Sequence, residues 1–489
     1  MKNRNKISII LIGFGLILIL GGTIAKSLIN TGPVLENNNN NNTNGGSVSP
    51  EEDTFGKLPI PVLLEDENPE EGVSDFTLDA TEGFTDFYEN SITPTMGYNG
   101  TFLGPVIKVK KGDQVNMHVN NELSDATSVH WHGLEVEGSK DGGPHQMIKV
   151  GETWNPSFTI EQPAATLWFH PHVMGTTATQ VYLGLAGMMI VEDDVSEELN
   201  IPKEYGVNDI PLILQDRSFN EDGSFYYGTS MMMDGMLGDT QLVNGAITPN
   251  LDIDQIKMRF RILNGSNARN YDLRLEGGDE FYQIASDGGF LEEPVSMKSL
   301  FISPGERAEV IMDFSKYKKG DRVRLMNGNN LVMTFTIGDE GKDETEVPAK
   351  LTEIIPFDEK DVTGRKTITL DGAGRMVSIN GKRFDLNRID EQVKKDALEV
   401  WEVTSQGSMM MGSIGHPFHI HSTQFQILSR DGKQPSPNER GWKDTVFVGQ
   451  GEVVKLLVKF NHEGIFMYHC HILEHEEDGM MAQIEVVSE

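Results

Sequence analysis

The chain has one cysteine, Cys470, among 489 residues. No intrachain disulfide framework can form in any compartment, so that cysteine is either an inert buried residue or a functional one. Basic residues are scarce as well, 41 Lys and Arg against 74 Asp and Glu, for a formal net charge of −33. So anionic a surface repels phosphate backbones and anionic lipid, which excludes nucleic acid as a partner and favours cations. Hydrophobic residues at 38% together with 51 Gly lie in the ordinary globular range, which excludes disorder of the whole chain. Only the N-terminus carries a long apolar run. Ile7 to Ala25 is uncharged and follows Lys2, Arg4 and Lys6, the pattern of an export signal close to the roughly 20 residues that span a bilayer. Residues 1–30 are therefore expected to be a signal peptide or an N-terminal membrane anchor, the chain's only contact with a membrane. A lipoprotein is excluded because the cysteine is at position 470. Residues 31–54, with Asn37 to Asn42 and then Thr43-Asn44-Gly45-Gly46, have nothing to bury and read as a flexible linker. The folded body is expected on the outer side of the membrane, secreted or anchored, as a monomer.

Beyond the linker the pattern is that of an all-β protein. Alternating segments such as Val115-Asn116-Met117-His118-Val119 and Arg259-Phe260-Arg261-Ile262-Leu263, bounded by Gly, Pro, Asn and Asp, predict many short strands and few helices. Asn-Gly turns at Asn99-Gly100, Asn244-Gly245 and Asn380-Gly381 each precede a strand-rich stretch. One such turn is a common hairpin signal, but three at domain-sized intervals predict three copies of one β-sandwich. The copies are placed at residues 55–198, 199–345 and 346–489, with linkers near Glu192 to Glu204 and Asp339 to Arg365.

Ten of the thirteen histidines fall in four groups: His130-Trp131-His132, His170-Pro171-His172, His416-Pro417-Phe418-His419-Ile420-His421, and His469-Cys470-His471 with His475. In an extended strand residues i and i+2 face one side and i+1 the other, so each His-x-His pair can offer two imidazoles to one metal cluster. Cys470 faces away from His469 and His471, and His475 and Met480 follow it. A thiolate, imidazoles and a weak thioether form the ligand set of a blue-copper centre, to which His416 can add the second imidazole. Zinc also takes Cys and His, but favours more thiolates in closed sites and gains nothing from an axial Met. Copper is the better assignment. The remaining eight histidines, four from the first copy and four from the third, suit three further copper ions. The adjacency of Cys470 to His469 and His471 then wires a one-electron acceptor to a multi-electron site through a few covalent bonds.

His-Trp-His-Gly, His-Pro-His, His-Pro-Phe-His-Ile-His and His-Cys-His-x3-His-x4-Met resemble the four signatures of the multicopper oxidases, and a looser similarity covers roughly residues 55 to 489. Tyr98 to Pro105, Asp141 to Gln146 and Pro304 to Glu309 are most similar to the bacterial cuprous oxidase and laccase branch. The resemblance implies three cupredoxin-like Greek-key β-sandwich domains, the second without copper ligands, and a trinuclear site between the first and third that reduces dioxygen to water. It implies four copper ions: one type 1, one type 2 and two type 3. By motif position, His416, Cys470, His475 and Met480 would bind the type 1 ion, and His130 and His419 the type 2 ion. His132, His170 and His471 would take one type 3 ion, and His172, His421 and His469 the other. Dioxygen reduction consumes protons as well as electrons. Glu135, Asp141 and Glu476 match acidic positions that bacterial members use as proton donors.

For the electron donor, thioether sulfur is soft and suits Cu(I). Met409, Met410 and Met411, just ahead of His416, are expected to collect cuprous ion in extracytoplasmic copper detoxification. Met231 to Met233 are read instead as core packing or an adaptable surface loop. The long Met-rich insertion typical of cuprous oxidases is missing: residues 366–405 contain only Met376. Small phenolic or aromatic donors are therefore the alternative, with Mn(II) or Fe(II) a further one. A copper-binding or structural protein without turnover stands as the second class of reading. His118, His145 and His462 have no partner spacing and read as ordinary surface or loop residues.

Overall fold

A computed structural model describes residues 56–488, except 90, 229–233, 340, 342–343 and 407–414. The expected signal or anchor, the Asn-rich linker, Met231 to Met233 and Met409 to Met411 all lie outside the described residues. Among the described residues strands dominate and helices are few and short; no helix is long and apolar enough to cross a membrane.

Alternation decides which face each strand buries. In Val73–Thr85 the buried apolar positions are Phe76, Leu78 and Ala80, and in Gln114–Asn121 they are Val115, Met117 and Val119. Both strands send these side chains into one apolar cluster with Val109, Phe158 and Leu167. A second cluster gathers around Leu212, Phe260, Val310 and Phe335, and a third around Ile368, Trp401, Val454 and Phe466. The strands form six sheets, two for each third of the chain, and each cluster fills one sandwich.

The same pairing recurs in every third. Val73–Thr85 runs parallel to Gln114–Asn121, Asp209–Phe219 to Lys257–Asn264, and Val362–Ala373 to Leu398–Gln406. Parallel neighbours cannot be joined by a hairpin, so each sandwich begins with a crossover, as in a cupredoxin-like Greek key. The three Asn-Gly turns are part of this repeat. Asn99, Asn244 and Asn380 all take positive φ, between 51° and 53°, a conformation Asn tolerates better than most residues. Each then clamps the first strand of its own copy. Asn99 Oδ1 accepts from Asp79 N and its amide donates to Thr77 O. Asn244 brackets Ile213 N and Pro211 O in the same way, and Asn380 brackets Thr369 N and Thr367 O.

The histidine motifs lie on paired strands of the first and third sandwiches. His130–His132 pairs antiparallel with Ala165–His170, setting His130 opposite His170. His416–Ile420 pairs with Gly464–Cys470, setting His419 opposite His469 and Phe418 opposite Cys470. Trp131, between the two histidines of its strand, turns into the first core.

Candidate metal centre

Strand parity separates the ligand-type residues into two buried sites. His416 and His419 are an odd number of residues apart and face opposite sides of their strand, as do Cys470 and its two neighbours. One site holds His416, Cys470 and His475, whose ligand atoms lie within 4.8 Å of one another. Cys470 Sγ is 3.4 Å from His416 Nδ1 and 3.8 Å from His475 Nδ1. The chain reaches His475 through the short helix Leu473–Glu477 and turns back at Gly479, where φ is +104°. Cys470 N then donates to Met480 O and Met480 N to His475 O, which returns the fully buried Met480 to the cysteine. Burial pushes the Cys470 thiol up, so a cation must displace its proton to gain the thiolate.

The other site gathers eight histidines, none more than 1% exposed. His130 stacks on His421 and His132 on His419, each with ring centroids 3.7 Å apart. Most of the rings are tied through Nδ1. Carbonyl oxygens accept from His130 (Asp141 O, 3.0 Å), His170 (Pro171 O, 2.8 Å), His419 (Asp444 O, 2.9 Å) and His469 (Cys470 O, 3.0 Å). The Asp141 carboxylate accepts from His421 Nδ1 at 2.8 Å. A proton held at Nδ1 leaves Nε2 as a bare lone pair. The Nε2 atoms of His130, His170 and His419 are buried without a hydrogen-bond partner. His469 Nε2 lies 3.2 Å from His172 Nε2 and 3.1 Å from His421 Nε2. With the Nδ1 protons of His421 and His469 committed elsewhere, converging acceptors of this kind call for a cation between them. Both nitrogens of His471 are also unpartnered, and its ring lies 4.9 Å from that of His132 and 5.4 Å from that of His170. Burial, and then the neighbouring histidines, hold His132, His170, His172, His419 and His421 far below the ordinary imidazole range. His416 is lowered to about 3, by burial and then by His475. Neutral imidazoles and a buried sulfur are the donor set that copper takes, so the residues present fit the metal.

The three carboxyls separate. Asp141 is 2% exposed and lies against two rings, through its carboxylate to His421 and at 3.5 Å from His130 Nδ1. Glu476, also 2% exposed, has its oxygens 3.5 Å from His172 Nδ1 and 3.3 Å from His469 Nδ1. Burial, then Glu477 and Glu474, push its carboxyl well above the usual range. Glu135 is not brought to the cluster. Its oxygens accept from Gln424 N and Asn461 Nδ2 in a pocket shared with Phe357, Trp442 and Lys459. Three residues beyond His132 the chain has already left the strand, so the spacing did not carry the carboxylate inward. His118, His145 and His462 contact Asn155, Gln483 and Glu161 and stand apart from both sites.

Two acids that the motifs did not reveal complete the surroundings. Glu474, one residue before His475, accepts from Tyr227 Oη, Asn267 Nδ2 and Met236 N, all from the second sandwich. Asp444 accepts from His132 Nε2 at 3.0 Å and is ion-paired with Arg307 at 2.6 Å. No histidine adjoins Asp444 in sequence. Its partner Arg307 lies in the Pro304 to Glu309 segment, which carries the family resemblance but no metal-ligand spacing.

The family described as Multicopper oxidase matches residues 81–196, 193–337 and 356–489. A multicopper oxidase of Staphylococcus aureus is 42% identical over 430 residues, covering 88% of this chain and 92% of that protein. The cell division protein FtsP of Proteus mirabilis is 36% identical over 451 residues, again covering 88% and 92%. The crystal structure of a laccase from Pediococcus acidilactici superposes with a TM-score of 0.86 at 41% identity, covering 89% of this chain and 94% of that one.

Proposed function

This chain belongs to the multicopper oxidase family, and we propose that it oxidises cuprous ion, drawing single electrons from it at a type 1 site and reducing dioxygen to water at a trinuclear one. In the proposed assignment His416, Cys470, His475 and Met480 hold the type 1 ion, and His130 and His419 the type 2 ion. His132, His170 and His471 hold one type 3 ion; His172, His421 and His469 hold the other. Bound there, copper supplies one-electron exchange at the sulfur site and dioxygen reduction at the histidine cluster. The junction His469-Cys470-His471 carries this reading, since the sulfur lies in one buried site and both flanking imidazoles lie against the rings of the other. The chain's own part is to exclude water, to orient six of the eight imidazoles through their second nitrogens, and to set the Asp141 and Glu476 carboxyls beside the rings for proton transfer. Glu135 has no such place in the proposal.

Cu(I) as donor rests on soft sulfur near His416. The Gly372 backbone is hydrogen-bonded to the His416 ring. Across the same hairpin Met376 is 68% exposed, and Met409 to Met411 lie five to seven residues before that histidine in the sequence. A phenolic donor is the second reading, favoured by the solved relative that is a laccase. The FtsP relative is named for cell division, and a copper-binding protein without turnover is the third reading, but all ten clustered histidines, Cys470 and Met480 are present here. We place the protein outside the cytoplasmic membrane, on the basic and apolar N-terminus, and its domain boundaries near residues 198 and 345. The test is oxygen consumption by copper-loaded protein offered Cu(I) and a phenol in parallel, with and without Met409 to Met411 changed to Leu. Cu(I) turnover that collapses in the Leu variant supports a cuprous oxidase. Phenol turnover indifferent to the change, with feeble Cu(I) oxidation, makes it a laccase, and copper uptake with no oxygen consumption makes it a binding protein.

A further inference from the structure

We propose that Asp444 and Arg307 form a positioning pair through which the histidine-free second sandwich fixes the geometry of the trinuclear site. The proposal rests on the copper assignment above and adds two residues to it. Asp444 lies within ligand distance of His132 and His419, yet its oxygens are already taken. Oδ1 accepts from Arg307 Nη1 at 2.7 Å, Thr445 Oγ1 at 2.9 Å and His132 Nε2 at 3.0 Å. Oδ2 accepts from Arg307 Nη2 at 2.6 Å and Gln424 Nε2 at 2.8 Å. Five donors on two oxygens exhaust a carboxylate's capacity of about four lone-pair sites, so Asp444 is an orienter rather than a ligand.

Its effect falls on one ring above all. Where the other tied rings are held through Nδ1, His132 is held through Nε2, and its Nδ1 is the buried nitrogen without a partner. Because a carboxylate only accepts, Asp444 sets the His132 proton on Nε2 and presents Nδ1 to the metal. A partner that fixes tautomer and ring orientation is what a metal-binding imidazole needs behind it. The Asp444 carbonyl does the same for His419, accepting from its Nδ1 at 2.9 Å.

Arg307 holds Asp444 in place and belongs to the second sandwich. Its bidentate fork meets both oxygens, and its remaining donors go to Thr166 O, Gly305 O and Asp287 O. The approach needs two glycines. A Cβ on Gly133, the residue after His132, would sit 2.5 Å from Arg307 Nη2 and 2.6 Å from Asp444 Oδ2. One on Gly305 would sit 2.8 Å from His471 Cδ2. The turn Pro304 to Arg307 thus touches the cluster twice, at the His471 ring and behind His132.

The test compares wild type with Asp444→Asn and Arg307→Lys by copper content, competitive chelator titration and electron paramagnetic resonance. Asp444→Asn should weaken copper binding at the cluster by about 10- to 100-fold, the usual cost of losing such a partner. The blue absorption of the Cys470 site should stay unchanged. Arg307→Lys keeps the charge but loses the fork, and should give a smaller loss of the same kind with altered type 2 signals. Unchanged cluster affinity in either folded variant overturns the proposal. Loss of blue absorption together with cluster copper overturns it too, since the pair would then be a general strut. Wild-type protein that loads no copper on the histidine cluster would strike the underlying copper assignment instead.

Discussion

Replacing Glu309 by glutamine tests how the second sandwich is locked to the strand that ends at His170. Glu309 is 1% exposed and sits between two buried guanidiniums. Its oxygens accept from Arg259 Nε at 2.9 Å, from Arg261 Nη1 at 3.0 Å, and from Thr166 Oγ1 of the first sandwich at 2.7 Å. Burial pushes its carboxyl up, but Arg259 and Arg261 outweigh burial and hold it at about 2 against an ordinary 4.5. At about 1.36 kcal/mol per pH unit, that interval amounts to about 3 kcal/mol of stability. Removing one partner of a buried ion pair costs about 3–5 kcal/mol, in agreement. Because the folded value is the lower one, the contribution is complete above the unfolded value of 4.5 and is lost as pH falls through 4.5 toward 2. Urea unfolding of wild type and Glu309→Gln should therefore differ by about 3 kcal/mol at pH 7 and by roughly half that or less at pH 3. A gap of equal size at both values would refute the electrostatic account and leave only lost packing.

Cys470→Ser should abolish the blue absorption and all donor oxidation while metal analysis still finds copper on the histidine cluster; retained oxidation would sink the proposed electron entry. Glu476→Gln should slow reoxidation of the reduced protein by dioxygen about 10²- to 10⁴-fold, the usual contribution of a positioned acid, at constant copper content. A reoxidation rate equal to wild type would remove it as the proton donor. Gly142→Ala should prevent folding or strip the cluster of copper, because φ is +78° and the new Cβ would lie 1.7 Å from Val129 O, next to His130. Gly112→Ala, at φ +99° with nothing within 4 Å, bears only the strain of the left-handed backbone, about 1–2 kcal/mol, and should load copper normally.

Much of the site was legible because its information is short-range. Alternation along a strand is set by the backbone itself, so His130-Trp131-His132 and His469-Cys470-His471 already divided their side chains between opposite faces before any tertiary contact was known. The same rule, with Asn-Gly at three domain-spaced positions, implied repeated sandwiches; the side-chain clamp that makes Asn99, Asn244 and Asn380 part of the repeat needed the folded strands. Glu135 shows where spacing fails. Once the chain leaves the strand after His132, its direction depends on what packs there, and Gln424 and Asn461 hold that carboxylate elsewhere.

Residue types and their local spacing determined the metal, the two kinds of site and the all-β class, because ligand chemistry and the period of a strand are properties of a few consecutive residues. Which nitrogen of each imidazole faces inward was decided only by tertiary structure. His132 meets Asp444 across 312 residues, and Asp444 meets Arg307 across 137. Contacts so distant along the chain leave no periodic trace, since they exist only after separate sandwiches have closed on one another.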